Sequence, residues 1–346
     1  MTPNPVIRHV RRRAGVILRA AHLWPTTRVR TQRLAGSHDR LRDEVARLKA
    51  TVDEVRAVAA AGEKRIASLE QELGRTNAGL GSLLPSLELL FGRRLPGMNR
   101  AISGPLLDSL IHEVATITGV KRAGHHVATG YVTLFELEAR GLGRIAGTTQ
   151  NVVGKLTTTP LLDPPNDDVL EIGTLFGMHA AGLARQFARQ GRTAMLTIID
   201  PLEGLQLQSG RNDQVDQTAV PVVEDVVRRN LALAGIPETQ LRVLKGLSQD
   251  PDIRATAADR RYGTIVIDGD HSEAGVARDL SWAEEITADG GIVVLDDYGD
   301  SKWPGVQAAA DGHLAGATRF SMIGTVATSA YLRAAVSRSD PDMSCR

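Results

Sequence analysis

From residue 169 onward, short apolar runs alternate with amphipathic ones, and this constrains the fold of the 346-residue chain more than any other feature. Strands are expected at Val169 to Ile172, Leu196 to Ile199, Leu241 to Leu244, Thr264 to Ile267 and Gly291 to Leu295. Helices are expected through Ala188, over Val222 to Ala234 and over Ala274 to Ile286. Strands that alternate with helices at this spacing build βαβ units, and these pack as a parallel sheet covered on both faces. Thr318 to Met322 and Ala327 to Arg333 read as two closing strands joined through Gly324. The expectation is an α/β fold with a doubly wound, seven-stranded sheet. With 42% hydrophobic and 23% charged residues the chain can bury a core of that kind. At 3%, aromatics are too sparse for a surface of stacked nucleic-acid bases, so no nucleic-acid partner is expected. The single cysteine, Cys345, excludes a disulfide framework and any cysteine-based metal centre.

The residues before the sheet follow other periodicities. Residues 1–38 hold eight Arg and no Lys, Asp or Glu, although the whole chain carries only +1. Val6, Ile7, Val10, Ala14, Ile17, Leu18 and Ala21 recur at helical spacing, with Arg8, Arg11, Arg12 and Arg19 largely on other faces, up to Pro25. A basic amphipathic helix of this kind suits peripheral contact with an anionic membrane; the alternative is a solvated tail. From Leu41 the apolar positions step by four and three through Val45, Leu48, Val52, Val55, Ala59, Gly62, Ile66, Leu69 and Leu73. This heptad seam calls for a partner, most simply a second copy of the chain. The alternative is packing on the chain's own globular part. Gly74, Asn77 and Gly79 are expected to end the helix. Further helices are expected at Leu80 to Leu90, Leu106 to Ile117 and Tyr131 to Leu142, with a turn at Leu95-Pro96-Gly97 and a loop at His125 and His126. The expected organisation is a basic arm (1–33), a coiled coil (34–76), a helical lid (77–150), the sheet domain (151–337) and a tail (338–346). No run is apolar for the ~20 residues of a membrane-spanning helix, and no clean signal peptide is present, so a cytoplasmic protein, peripheral at the inner membrane face, is expected.

Chemistry is expected at the carboxyl ends of the strands. The first strand carries Glu171 and runs into Gly173, with Gly177 opening the next helix. Glycines there let the backbone approach a ligand closely. Their spacing departs from the dinucleotide Gly-x-Gly-x-x-Gly pattern. The second strand ends in Asp200, an acid placed to accept hydrogen bonds from ribose hydroxyls. Together these four residues resemble the cofactor half of class I methyltransferases, which bind S-adenosylmethionine; the alternative is a generic nucleotide-binding sheet. The fourth strand runs into Asp268-Gly269-Asp270-His271 and the fifth into Asp296-Asp297-Tyr298. Neighbouring strands lie about 5 Å apart, so several carboxylates converge. A hard divalent cation, such as magnesium, would relieve their repulsion; the alternative is a helix cap beside a solvated acid.

Val266 to Ser272, Gly290 to Tyr298, and Pro304-Gly305-Val306 ahead of Asp311 resemble the metal-dependent O-methyltransferases of the class I fold. The chain particularly resembles the branch of macrocin-type sugar O-methyltransferases and cephalosporin-biosynthesis methyltransferase-like proteins. It covers Val169 to about Leu332, near half the chain. By that resemblance Asp268, Asp296 and Asp297 match magnesium ligands, Asp268 also borders the cofactor, and Gly246 to Ser248 match the loop beside the adenine. The second acid of Asp-Gly-Asp, Asp270, is the base in the sugar-modifying branch. His271 stands where the catechol branch has a lysine, and a histidine is a sensible base at neutral pH. Both remain candidates. Where many relatives have Tyr-Glu, this chain has His271-Ser272-Glu273. The resulting expectation is magnesium-assisted O-methylation of a sugar, glycan, polyol or natural-product hydroxyl by a homo-oligomer. Two rivals are a non-catalytic, coiled-coil membrane scaffold with a vestigial methyltransferase fold and an NAD-dependent oxidoreductase.

Overall fold

The computed structural model describes residues 5–90, 99–204, 216 and 218–336, with side chains described from residue 33 and not for 77–90. The expected Leu95-Pro96-Gly97 turn and the 338–346 tail lie outside the described residues. The chain divides into two units, Met1–Ser86 and Leu87–Arg346.

The first unit is helical. Helix α1 spans Pro5–Leu90 without a break. Pro25 therefore does not stop the helix, and Gly74, Asn77 and Gly79 do not end it. A proline removes one backbone hydrogen bond and an isolated glycine costs ~1 kcal/mol, penalties that a long helix absorbs. The seam residues Leu41, Val45, Leu48, Val52, Val55, Ile66, Leu69 and Leu73 are all exposed, from 47% for Leu69 to 62% for Val55.

The second unit is a three-layer αβα structure. Its elements run α2 (Gly104–Thr118), α3 (Ala123–Arg140), α4 (Thr149–Leu161), β1 (Asp168–Ile172), α5 (Met178–Arg189), β2 (Met195–Asp200), α6 (Glu224–Leu233) and β3 (Leu241–Lys245). They continue as α7 (Pro251–Ala257), β4 (Tyr262–Ile267), α8 (Glu273–Ile286), β5 (Thr287–Leu295), α9 (Pro304–Ala315), β6 (Phe320–Val326) and β7 (Ser329–Ala334). The seven strands form one sheet in the order β3-β2-β1-β4-β5-β7-β6. The pairings β3·β2, β2·β1, β1·β4 and β4·β5 are parallel, and β7 is antiparallel to both β5 and β6. One buried cluster joins α2 through α6 to one face of the sheet, including Val114, Leu134, Leu156, Phe187 and Val227. A second lies under α8 and α9 and includes Leu280, Trp282, Ala310 and Leu332. The strand order reverses direction at β1, which opens a crevice between the carboxyl ends of β1 and β4.

Two details of the helical region differ from the sequence reading. His125 and His126 belong to the first turn of α3 rather than to a loop. Helix α4 was not anticipated at all. Thr148 caps it, its hydroxyl accepting from the Asn151 N–H at 3.2 Å. Thr149 and every residue from Asn151 to Pro160 are buried, so no polar face marks its period.

Candidate active site

A cavity of about 360 Å³ opens at the carboxyl ends of β1 to β4. That volume lies within the ~300–1,000 Å³ of small-molecule sites. Its walls include Gly173, Thr174 and Leu175 after β1, Asp200 at the end of β2, Gly246 to Gln249 after β3, and Asp268 to Asp270 after β4.

Gly173 has φ +81°, and a Cβ there would run into the backbone carbonyl of Asp268. The chain needs glycine at this point for both conformation and clearance. Asp200 Oδ2 accepts the Thr174 N–H at 2.9 Å and Oδ1 accepts the Leu202 N–H at 3.0 Å, so the acid braces the turn it faces. A carboxylate has about four acceptor positions, which leaves capacity for a ribose hydroxyl. Burial pushes the Asp200 carboxyl above its ordinary pKa, against three backbone N–H bonds that pull it down. Gly177 has φ +74° and closes on Val227 of α6, so it serves the start of α5 rather than the cavity wall.

Glu171 is placed differently from expectation. It is buried behind the turn, its Oε1 2.6 Å from His179 Nδ1 and its Oε2 accepting from the Thr174 hydroxyl. It is not among the lining residues, whereas His179 is. Ser248 lines the cavity and donates to Asp279 Oδ1 at 2.6 Å, and burial raises the Asp279 pKa.

The β4 and β5 ends bring the remaining candidates together. Ile267 pairs with Leu295, and the Asp296 N–H continues the ladder to the Ile267 carbonyl at 3.1 Å, so Asp268 and Asp296 stand side by side. Asp297 has φ +56°, a left-handed conformation that Asp tolerates better than most residues. His271 is buried, with Nε2 3.3 Å from Asp297 Oδ2 and 3.7 Å from Asp268 Oδ1, and its ring lies 4.8 Å from that of Trp303. Burial lowers the imidazole pKa, but Asp297, Asp268 and Asp296 outweigh it and hold it above its ordinary value. Asp270 faces the cavity instead. Its oxygens accept from the Ser272 N–H and hydroxyl, both at 2.9 Å, and Gly275 leaves the room its carboxylate occupies.

The largest departure from expectation is Lys155 of α4. It is 1% exposed, and its Nζ lies 2.8 Å from Asp296 Oδ1 and 3.1 Å from Asp268 Oδ2. Burial alone would depress its pKa, but the facing carboxylates raise it and keep the ammonium charged. Asp296, buried, is held low by Lys155, whereas burial and the Asp296 charge push Asp268 well above the usual carboxylate range. Asn151 Nδ2 and Ser329 Oγ also donate to Asp296 Oδ1, at 2.9 and 3.2 Å. Single ligand atoms of Asp268, His271 and Asp296 lie within 4.8 Å of one another, close enough to surround an ion. The Lys155 ammonium nevertheless already stands between the two carboxylates, and an imidazole is not a ligand that magnesium prefers. As folded, the donor set does not fit the magnesium ion expected between Asp268, Asp296 and Asp297.

Residues 170–298 match the sequence model of a family described as a methyltransferase domain. Similar solved structures include the O-methyltransferase NovP, at 18% identity over 68% of this chain and 100% of that one, TM-score 0.43. The O-methyltransferase TomG from Streptomyces achromogenes, in complex with SAM, is 17% identical over 61% and 89%, TM-score 0.37. An O-methyltransferase from Bacillus cereus in complex with SAH is 19% identical over 60% and 90%, TM-score 0.38. A comparison with curated proteins gives no match. The matched segment holds the glycine turn, Asp200 and the acid-bearing ends of β4 and β5, and residues 170–298 are thereby similar to a methyltransferase domain.

Proposed function

We propose that the protein methylates a hydroxyl oxygen of a sugar, glycan, polyol or related natural product. The observation that carries this reading is the cavity at the sheet crevice, which joins the Gly173 turn and Asp200 to an acidic acceptor side. When bound, S-adenosylmethionine supplies a methyl group on a sulfonium. Gly173 gives the cofactor a close backbone approach, and Asp200 accepts from its ribose. Gly246 and Ser248 border the same cavity. Asp270 lies on the wall and takes the acceptor hydroxyl proton as the new O–CH3 bond forms and the old S–CH3 bond releases its electron pair to sulfur. His271 is buried behind that wall among Asp268, Asp297 and Trp303, which favours Asp270 as the base. Positioning supplies most of the acceleration, because the sulfonium is already activated. With the Lys155 ammonium set between Asp268 and Asp296, the transfer proceeds without magnesium assistance. Calorimetric titration with S-adenosylhomocysteine and with NAD tests it: the first should bind and the second should not. The reverse result returns the oxidoreductase, and binding of neither returns the scaffold.

The exposed seam on α1 supports pairing with a second copy of the chain. Eight large apolar side chains in heptad register lie open along it, and an identical helix covers them with complementary spacing. Parallel pairing would also bring two Arg-rich segments together, making contact with an anionic membrane avid. The side chains of that segment lie outside the described residues. Among the described residues, no helix is long and apolar enough to cross a membrane.

A further inference from the structure

Lys155 is the residue at this site that the fold has gone furthest to bury. Helix α4 is enclosed on all sides, and it delivers the ammonium to the ends of two strands that follow it by more than a hundred residues. Enclosing an ammonium is costly unless it is closely paired. Here it is paired twice, with Asp296 Oδ1 at 2.8 Å and Asp268 Oδ2 at 3.1 Å. The same Asp296 oxygen also accepts from Asn151 and Ser329, so three donors converge on it. One of them, Asn151, lies a helical turn before Lys155 on the same helix. A divalent ion between the two carboxylates would meet a fixed positive charge within ligand distance, and like charges at that range repel strongly. The arrangement has the parts of a cation site, with the cation supplied by the chain.

Resting on the methyl-transfer reading above, we propose that Lys155 is the resident cation of this site. It is a positioning residue whose ammonium stands where a divalent metal would otherwise bridge Asp268 and Asp296, so that the site is ordered without a bound metal. Methyl transfer needs no oxidant, reductant or further reactant for this to hold.

Manganese binding, read by electron paramagnetic resonance on the full-length protein with S-adenosylhomocysteine present, tests the proposal independently of turnover. The wild-type protein should show no tight Mn2+ site, whereas Lys155→Gln should bind Mn2+ about tenfold or more tighter than wild type. Lys155→Met is a second neutral variant of similar length, used if Gln impairs folding as judged by circular dichroism. Equal Mn2+ affinities in wild type and in the folded neutral variant would overturn the proposal. Tight Mn2+ binding by wild type that Asp296→Asn abolishes would also overturn it, and that arm needs no Lys155 variant. Should S-adenosylhomocysteine fail to bind, the methyl-transfer reading is lost while the Mn2+ comparison, repeated without it, still decides the role of Lys155.

Discussion

Asp200, at the end of β2, and Asp270, after β4, are two carboxylates on one cavity with β1 between their strands, and their surroundings set them apart. Asp200 is held by the Thr174 N–H of the β1 turn and by the Leu202 N–H after its own strand, and on the proposed reading it receives the cofactor's ribose edge. Replacing it with Ala should weaken S-adenosylhomocysteine binding by about 1–3 kcal/mol in calorimetry, the cost of leaving a buried hydroxyl without its acceptor. Unchanged affinity would remove the ribose assignment. Asp270 is oriented by Ser272 and reaches the cavity, so Asp270→Ala should slow turnover by about 10²–10⁴ with little change in cofactor affinity. If His271→Ala shows that loss and Asp270→Ala does not, the two roles are exchanged. The positions of these residues were legible in the sequence because each stands at, or within four residues of, the end of an apolar strand. Glu171 misled because a strand's last residues alternate between faces, and only packing shows that it turns toward His179.

Helix α4 decides what the acceptor side is made of, and it was the least legible element. Amphipathic helices announce themselves by a polar face, whereas this one is buried throughout and rich in threonine, which is no strong helix former. Its contacts with β4 and β5 depend on a lysine distant in sequence, so no local pattern points to them. The first four strands, in contrast, were legible to within two residues at each end, since fully buried parallel strands are short apolar runs bounded by turns. Strand β5 begins four residues before the expected Gly291, and β6 runs through Gly324 to Val326, so the closing strands turn at Ala327-Thr328 and not at Gly324. Leu156 sits in the middle of α4 with no exposed surface. Leu156→Ala should lower stability by about 2–5 kcal/mol in denaturant unfolding, since little around it can collapse into the gap. A loss below 1 kcal/mol would mean that α4 packs more loosely than its burial indicates.

At the scale of the whole molecule, a globular unit that buries its apolar residues is joined in sequence to a helix that leaves them open. A protein beginning at Asn77 should keep S-adenosylhomocysteine binding yet lose both self-association, measured by light scattering, and salt-sensitive binding to anionic vesicles. An unchanged oligomeric state would show that the seam is not the pairing surface. Indifference of the full-length protein to anionic vesicles at low salt would reduce the basic segment to a solvated one. The heptad spacing was legible, but the helix ends were not, because breakers cost too little to interrupt a run of 86 residues. The ion pairs of Lys155 have a last consequence, which lies in time rather than space. They join residues 113 or more positions apart, and contacts of such range close late in folding. Synthesis proceeds from the N-terminus, so Lys155 is made long before Asp268 and Asp296 exist to receive it. Until β4 and β5 arrive, a charged α4 has no place in a core, and its docking and the completion of the catalytic face become a single late event.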